Sequence, residues 1–122
     1  MEWPRYHYRG EVVSVTDGDT IRVSLDLGLR VFTHVSLRIA GIDTLEVNKG
    51  TPEERARGMA ARDYLRNLLW QPGDRRVYVR THKDKQTFNR YVADVLIPDH
   101  LNRPLDVATE MVTAGHAVWS DG

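Results

Sequence analysis

The sequence predicts a mainly β domain with two helices (an α+β chain), in the order three strands, helix, two strands, helix. Two observations carry this prediction. Apolar and polar residues alternate over short segments, and one long segment between the third and fourth of them repeats at helical spacing instead. A third observation, the Asp17-Gly18 pair after the first segment, is the strongest short hairpin signal and makes the first pairing antiparallel.

The elements follow in order. Residues 6–15 read as a strand, with Tyr6, Tyr8, Val13 and Val15 at mostly alternate places. Ile21, Val23, Leu25 and Leu27 alternate with Arg22, Ser24 and Asp26, which gives a second strand with one buried face. Gly28 turns the chain, and Val31, Thr33, Val35, Leu37 and Ile39 form a third strand ending near Gly41. Asn48, Gly50 and Pro52 mark a loop over 45–52. Thr51 then caps a helix over 52–69, with Pro52 at its first position and Glu53 and Glu54 in the first turn. Ala61, Leu65, Leu68 and Leu69 line its buried face beside Tyr64, and Arg55 and Arg57 face water. Gln71 to Asp74 stop it. Val77 and Val79 mark the fourth strand, 82–89 a polar loop, and 91–97 the fifth strand. Pro98-Asp99-His100 turns the chain. A short helix over 105–114 buries Val107, Ala108, Met111 and Val112 and stops at Gly115. Five such strands with a helix between the third and fourth fit an OB-type barrel, against an open sheet carrying both helices on one face. Barrels of this kind often bind nucleic acid, but fold alone does not fix function.

Length sets one domain over 1–122 as the expectation. With 41% apolar and 28% charged residues the chain can build a core, which argues against disorder. The absence of cysteine excludes disulfides, thiolate metal sites and thiol catalysis. No apolar run follows the first residues and none approaches the roughly twenty residues of a membrane span, so a cytoplasmic protein is expected. Seventeen basic and seventeen acidic side chains cancel, which counts against a large non-specific nucleic-acid surface. Locally, however, Arg75, Arg76, Arg80, Lys83, Lys85 and Arg90 stand against Asp84 alone, which reads as a solvated hairpin or as a positive face.

Three clusters could carry chemistry. Asp17-Gly18-Asp19-Thr20 by itself is a turn, although a carboxylate at the strand edge is less expected. Arg38, Asp43 and Glu46 gather at the end of an apolar strand, where each alone could be a loop charge. Phe88-Asn89-Arg90-Tyr91 by itself is a hairpin with an exposed arginine. Together they describe phosphodiester hydrolysis, which needs a positioned water, neutralised phosphate charge and a stabilised leaving oxygen. Hard oxygen ligands suit Ca²⁺ or Mg²⁺, a further carboxylate can deprotonate water, and two arginines can clamp a phosphate. His7, His34, His82, His100 and His116 show no zinc-ligand spacing and read as surface or packing residues.

These motifs, in this order and strand context, make the chain resemble the staphylococcal nuclease (thermonuclease-like) family over about residues 10–119. The resemblance implies an OB barrel with helices and a Ca²⁺-dependent nuclease acting on DNA or RNA, with Mg²⁺ as the alternative ion. It implies Asp19, Asp43 and the Thr44 carbonyl as metal ligands, Glu46 as the residue that holds or activates water, and Arg38 and Arg90 as phosphate-binding catalytic residues. Lys85, Phe88 and Tyr91 would contact substrate. The chain departs from the family pattern at Leu45, where a proline is usual, at Phe88, often tyrosine, and at Asn89, usually glycine. Relatives also continue past the position of Trp119, so a homo-oligomer in which a second copy replaces that segment is an expectation; Trp119 itself is expected to pack in the core. The readings weighed against a nuclease are a non-catalytic nucleic-acid-binding OB module and a protein-interaction module with a vestigial site.

Overall fold

The alternating segments close into a barrel. The computed structural model describes residues 6–70, 74–87, 90–100 and 103–120, with residues 83–87, 99 and 100 in their backbone only. Its strands are β1 (His7–Asp17), β2 (Thr20–Asp26), β3 (Phe32–Ile39), β4 (Ile42–Asp43), β5 (Arg76–Thr87), β6 (Arg90–His100), β7 (Arg103–Asp106) and β8 (Val118–Trp119). The helices are α1 (Pro52–Leu69) and α2 (Val107–Thr113). Strand order is β3-β2-β1-β5-β6, and β6 returns to β3 to close five strands in the OB manner. Every pairing in the barrel is antiparallel except this last one, in which Leu37, Arg38 and Ile39 run parallel to Tyr91, Val92 and Ala93. The open-sheet alternative is thereby set aside.

Inward-facing residues fill the barrel: Ile21, Val23 and Leu25 from β2, Leu37 and Ile39 from β3, Val77 and Val79 from β5, and Ala93, Val95 and Ile97 from β6. The strand β1 departs from simple alternation. A bulge between Val12 and Ser14 shifts its parity, so Val12 and Val15 are buried while Val13 is 41% exposed. Leu27 and Val31, expected to continue the alternation, lie in the exposed β2–β3 turn, where Gly28, Leu29 and Arg30 all take positive φ.

Helix α1 forms where Thr51, Pro52 and Glu54 require it. The Thr51 hydroxyl accepts from the Glu54 N–H, and the Glu54 carboxylate accepts from the Thr51 N–H, completing a capping box. Its buried residues are Gly58, Ala61, Leu65 and Leu69. Helix α2 is shorter than the expected 105–114 because Leu105 still pairs with Ile97 in β7. Val107, Ala108 and Met111 are buried, and Gly115 ends the helix at φ 82°.

Two expected loops are strands. Residues 82–87 continue β5, pairing Gln86 with Tyr91 and Thr87 with Arg90 after a register shift; backbone hydrogen bonding extends the hairpin without an apolar face. Pro98 does not turn the chain but lies where β6 bulges between Ile97 and His100, one of the places a sheet tolerates proline. Trp119 is not core: it is 58% exposed, because β8 pairs only with the two-residue β4, outside the barrel. No described helix is long and apolar enough to cross a membrane.

Candidate functional site

The β1–β2 turn, the end of β3 and the start of β6 meet at one place. In the turn Asp17 opposes Thr20, leaving Gly18 and Asp19 as the two turn residues. Gly18 is required by close approach: a Cβ there would lie 2.8 Å from the Ala61 Cβ on α1 and 3.0 Å from the Thr44 methyl. The turn is therefore pressed between α1 and the segment after β4, and Asp19 is only 8% exposed.

Asp19 is held on both oxygens. Its Oδ1 accepts from the Thr20 hydroxyl at 3.0 Å and its Oδ2 from the Thr44 backbone N–H at 3.3 Å. Arg38, the cross-strand partner of Thr20, places Nη2 3.7 Å from Asp19 Oδ2, and the same nitrogen donates to Asp43 Oδ1. One cationic nitrogen thus stands between two carboxylates. Burial pushes the Asp19 carboxyl above its ordinary value. The Arg38 charge and the hydrogen bonds from Thr20 and Thr44 pull it back in part, and the Asp17 charge adds to the rise. A carboxyl raised in the fold binds its proton more tightly folded than unfolded. Its contribution to stability is therefore present at acid pH, below the ordinary carboxylate value of 3.8, and is lost as pH rises through the folded value.

The parallel closure of the barrel brings in the second arginine. Because β6 begins beside the end of β3, Arg90 Nη1 reaches across to donate to Thr20 Oγ1 at 3.0 Å. Thr20, 4% exposed, links Arg90 to Asp19 through one hydroxyl that accepts from the first and donates to the second.

The loop carrying Glu46 is fixed by its backbone. Asp17 accepts the Val47 N–H at 3.2 Å, and Gly58 on α1 lies so close that a Cβ would sit 2.5 Å from the Glu46 carbonyl oxygen. These restraints act where Leu45 supplies no proline rigidity. The Glu46 side chain does not join the Asp19–Arg38–Asp43 group: it is exposed and lies 3.4 Å from Lys49. The Thr44 hydroxyl is buried with no hydrogen-bond partner among the described residues.

Asp19, Arg38, Asp43 and Thr44 are therefore in direct contact, and Arg90 joins them through Thr20. Tyr91 is 41% exposed, its backbone paired with Leu37. Phe88, with Asn89, and the side chain of Lys85 lie outside the described residues. Asp17, Thr20 and Gly58 are the residues that sequence reasoning missed. Asp17 and Thr20 were visible only as parts of a turn motif, and Gly58 only as an unexplained glycine inside a helix.

Three arginines of the basic stretch have partners elsewhere. Arg75 lies 3.7 Å over the Trp70 ring, Arg76 chelates Asp74, and Arg80 bonds Asp94. Among the histidines, His116 packs on Tyr64, with ring centroids 4.7 Å apart. His7 and His34 are exposed, and His82 approaches Asp94 at 3.3 Å. Among the described residues no three or more His, Asp or Glu side chains form a metal-holding group.

No curated protein matches the chain. The family model for staphylococcal nuclease homologues matches residues 36–121, a span that holds Arg38, Asp43, Thr44, Glu46 and Arg90, with Asp19 upstream of it. Over well more than half its length, then, the chain carries that family's sequence pattern on an OB-type barrel, and it belongs to the staphylococcal nuclease family.

Proposed function

We propose that this protein is a metal-dependent nuclease that hydrolyses phosphodiester bonds of DNA or RNA. The observation that carries the reading is the meeting of Asp19, Asp43, Arg38 and Arg90 at the closure of the barrel. The oxygen-rich end of this group fits a hard divalent cation. Asp19 and Asp43 already bracket a positive charge, Asp19 is buried at a cost, and the neighbouring Thr44 hydroxyl has unmet bonding capacity. Asp19, Asp43 and the Thr44 carbonyl would hold such an ion, Ca²⁺ first and Mg²⁺ as the alternative. When bound, it supplies positive charge against the phosphate oxygens.

The side chains divide the remaining work. Arg38 exchanges Asp43 for the phosphate, and Arg90 meets the phosphate from the β6 side; both offer planar donor pairs suited to its oxygens. Glu46 accepts a proton from the attacking water as its oxygen bonds to phosphorus, and the leaving oxygen departs with its bonding pair and is then protonated. An exposed ion pair such as Glu46–Lys49 is worth about 0–1 kcal/mol, so Glu46 turns from it at little cost.

A second reading has its own observation. Arg38 is neutralised by Asp43 and Glu46 by Lys49, an arrangement that a non-catalytic nucleic-acid-binding barrel would equally tolerate.

Thermal melts test the proposed ion site without relying on activity. Asp19→Asn removes a charge buried at a cost, so the ion-free variant is expected to melt a few degrees above the parent at neutral pH. The gap should shrink as pH falls through the raised folded value of Asp19, where the carboxyl takes up its proton. Calcium is expected to raise the melting temperature of the parent and not that of Asp19→Asn. A calcium shift of full size in the variant contradicts the assignment of Asp19.

A further inference from the structure

The β2–β3 hairpin presents a run of exposed apolar side chains. Leu27, Leu29, Val31 and Phe32 are all exposed, Leu29 by 98% and Phe32 by 61%. The turn that carries them is fixed: the Gly28 N–H donates to the Asp26 carboxylate at 2.8 Å, and the Val31 and Leu27 N–H groups donate to the Gly28 and Val31 carbonyls at 2.9 Å. Beside this turn β3 has an open edge. Strand β2 covers one side of β3 along its whole length, but β6 covers the other only at Leu37, Arg38 and Ile39. Among the described residues nothing pairs with the other side of Phe32 to Ser36. The Ile39 N–H donates on the β2 side, to Asp19, and the Ala40 N–H on the β6 side, to Ala93. By alternation the N–H and C=O groups of Phe32, His34 and Ser36 point to the open side. We propose that this edge is a dimer interface, on which β3 of a second copy of this chain adds antiparallel about a two-fold axis at Thr33.

The edge lacks the usual guards against such pairing. Between Arg30 and Arg38 the strand holds no Lys, Arg, Asp, Glu or Pro, and its pairing with β2 has no bulge. The two ends of the edge set the axis. An axis at His34 would put Val31 of the second copy opposite Leu37, where Tyr91 already pairs. An axis at Phe32 would draw Leu29 and Arg30, both at positive φ, into the ladder. With the axis at Thr33, Phe32 opposes His34 of the second copy and exchanges backbone hydrogen bonds with it, and Val31 opposes Val35. The turn led by Leu29 then ends beside Tyr91, which is exposed. A second copy is the occupant this chemistry fits. The pairs formed are apolar, aromatic or hydroxyl, and none sets like charges opposite one another. A formal net charge of zero leaves no long-range repulsion between copies. The contact uses none of Asp19, Arg38, Asp43, Thr44 or Arg90.

Sedimentation equilibrium of the full chain tests this. At about 100 µM, enough to fill a micromolar dimer, the parent is expected to show twice the 14.0 kDa chain mass. Phe32→Lys combined with His34→Lys sets like charges opposite at both outer pairs and should give the single-chain mass. Phe32→Lys combined with His34→Glu makes both pairs opposite in charge and should restore the dimer at low salt. Both positions are exposed, so each double variant should keep the parental far-UV circular dichroism spectrum. A single-chain mass for the parent, or the same mass for the two folded double variants, overturns the interface.

Discussion

Arg38→Ala is expected to lower phosphodiester cleavage by about 10²–10³-fold, the usual loss when one preorganised donor to a developing charge is removed. On the proposed reading the residue has two duties, which the variants separate. In the free protein its guanidinium stands between Asp19 and Asp43 and is the strongest influence opposing the rise of the Asp19 carboxyl. In the proposed reaction it leaves Asp43 for the phosphate. Removing it therefore costs stability as well as rate, because a buried carboxylate loses its cation. Arg38→Ala combined with Asp19→Asn should recover the melting temperature and not the cleavage, since the second change removes the unpaired charge but restores no donor and takes away a proposed ligand of the ion. Arg38→Lys should keep part of the stability and little of the rate, because an ammonium lacks the planar pair of donors. Steady-state cleavage beside thermal melts of the four proteins checks this; an Arg38→Ala protein that melts lower but cleaves at the parental rate would show that Arg38 acts only as a structural counter-ion.

Gly58→Ala is expected to destabilise the protein, against the ordinary preference of a helix interior, where alanine is favoured over glycine by about 1 kcal/mol. The reason is local. A Cβ at position 58 would lie 2.5 Å from the Glu46 carbonyl oxygen, 2.7 Å from its carbon and 2.9 Å from the Leu45 oxygen, all backbone atoms. Overpacking of this kind costs roughly 1–3 kcal/mol, so the balance turns negative. The loop is the part that can yield, and it carries Glu46. Cleavage should fall with stability, by up to about 10²-fold if the loop moves by an ångström. The melting temperature and the cleavage rate are both read; a variant that melts higher than the parent and cleaves as well would mean that α1 and the Glu46 loop are not in contact.

The sequence showed most of the local structure and little of what closes it. Helix α1 was legible to the residue because its start is written in Thr51, Pro52 and Glu54 and its face in Ala61, Leu65 and Leu69. Strand β2 was legible as Ile21, Val23 and Leu25 because it carries no bulge. Strand β1 was misread at Val13 because a single bulged residue exchanges inside for outside, and bulges leave no clear mark in one sequence. Strand β7 and the extension of β5 were missed for a related reason: main-chain pairing can continue through polar residues and beside proline wherever a partner strand is near.

The site divides along the same line. Its residue types were visible in the motifs around Asp19, Arg38 and Arg90, but their meeting depends on the parallel pairing of β3 with β6, whose members stand more than fifty residues apart. The role of Thr20 as the link between Arg90 and Asp19 follows from that pairing and not from the turn motif that contains it. Trp119 was expected in the core from its size; the two-residue pairing of β4 with β8 that leaves it exposed has no pattern long enough to read.

The most direct test of the central claim is the rate at which single-stranded DNA and RNA are cut in calcium, in magnesium and in chelator, by the parent and by Glu46→Gln. The account predicts cleavage that requires the divalent ion and falls by about 10²–10⁴-fold in the variant, the range of a lost general base. Cleavage that persists in chelator, or equal rates from parent and variant, would contradict it. A folded parent that binds the strands and cuts neither under any condition would favour the non-catalytic nucleic-acid-binding barrel.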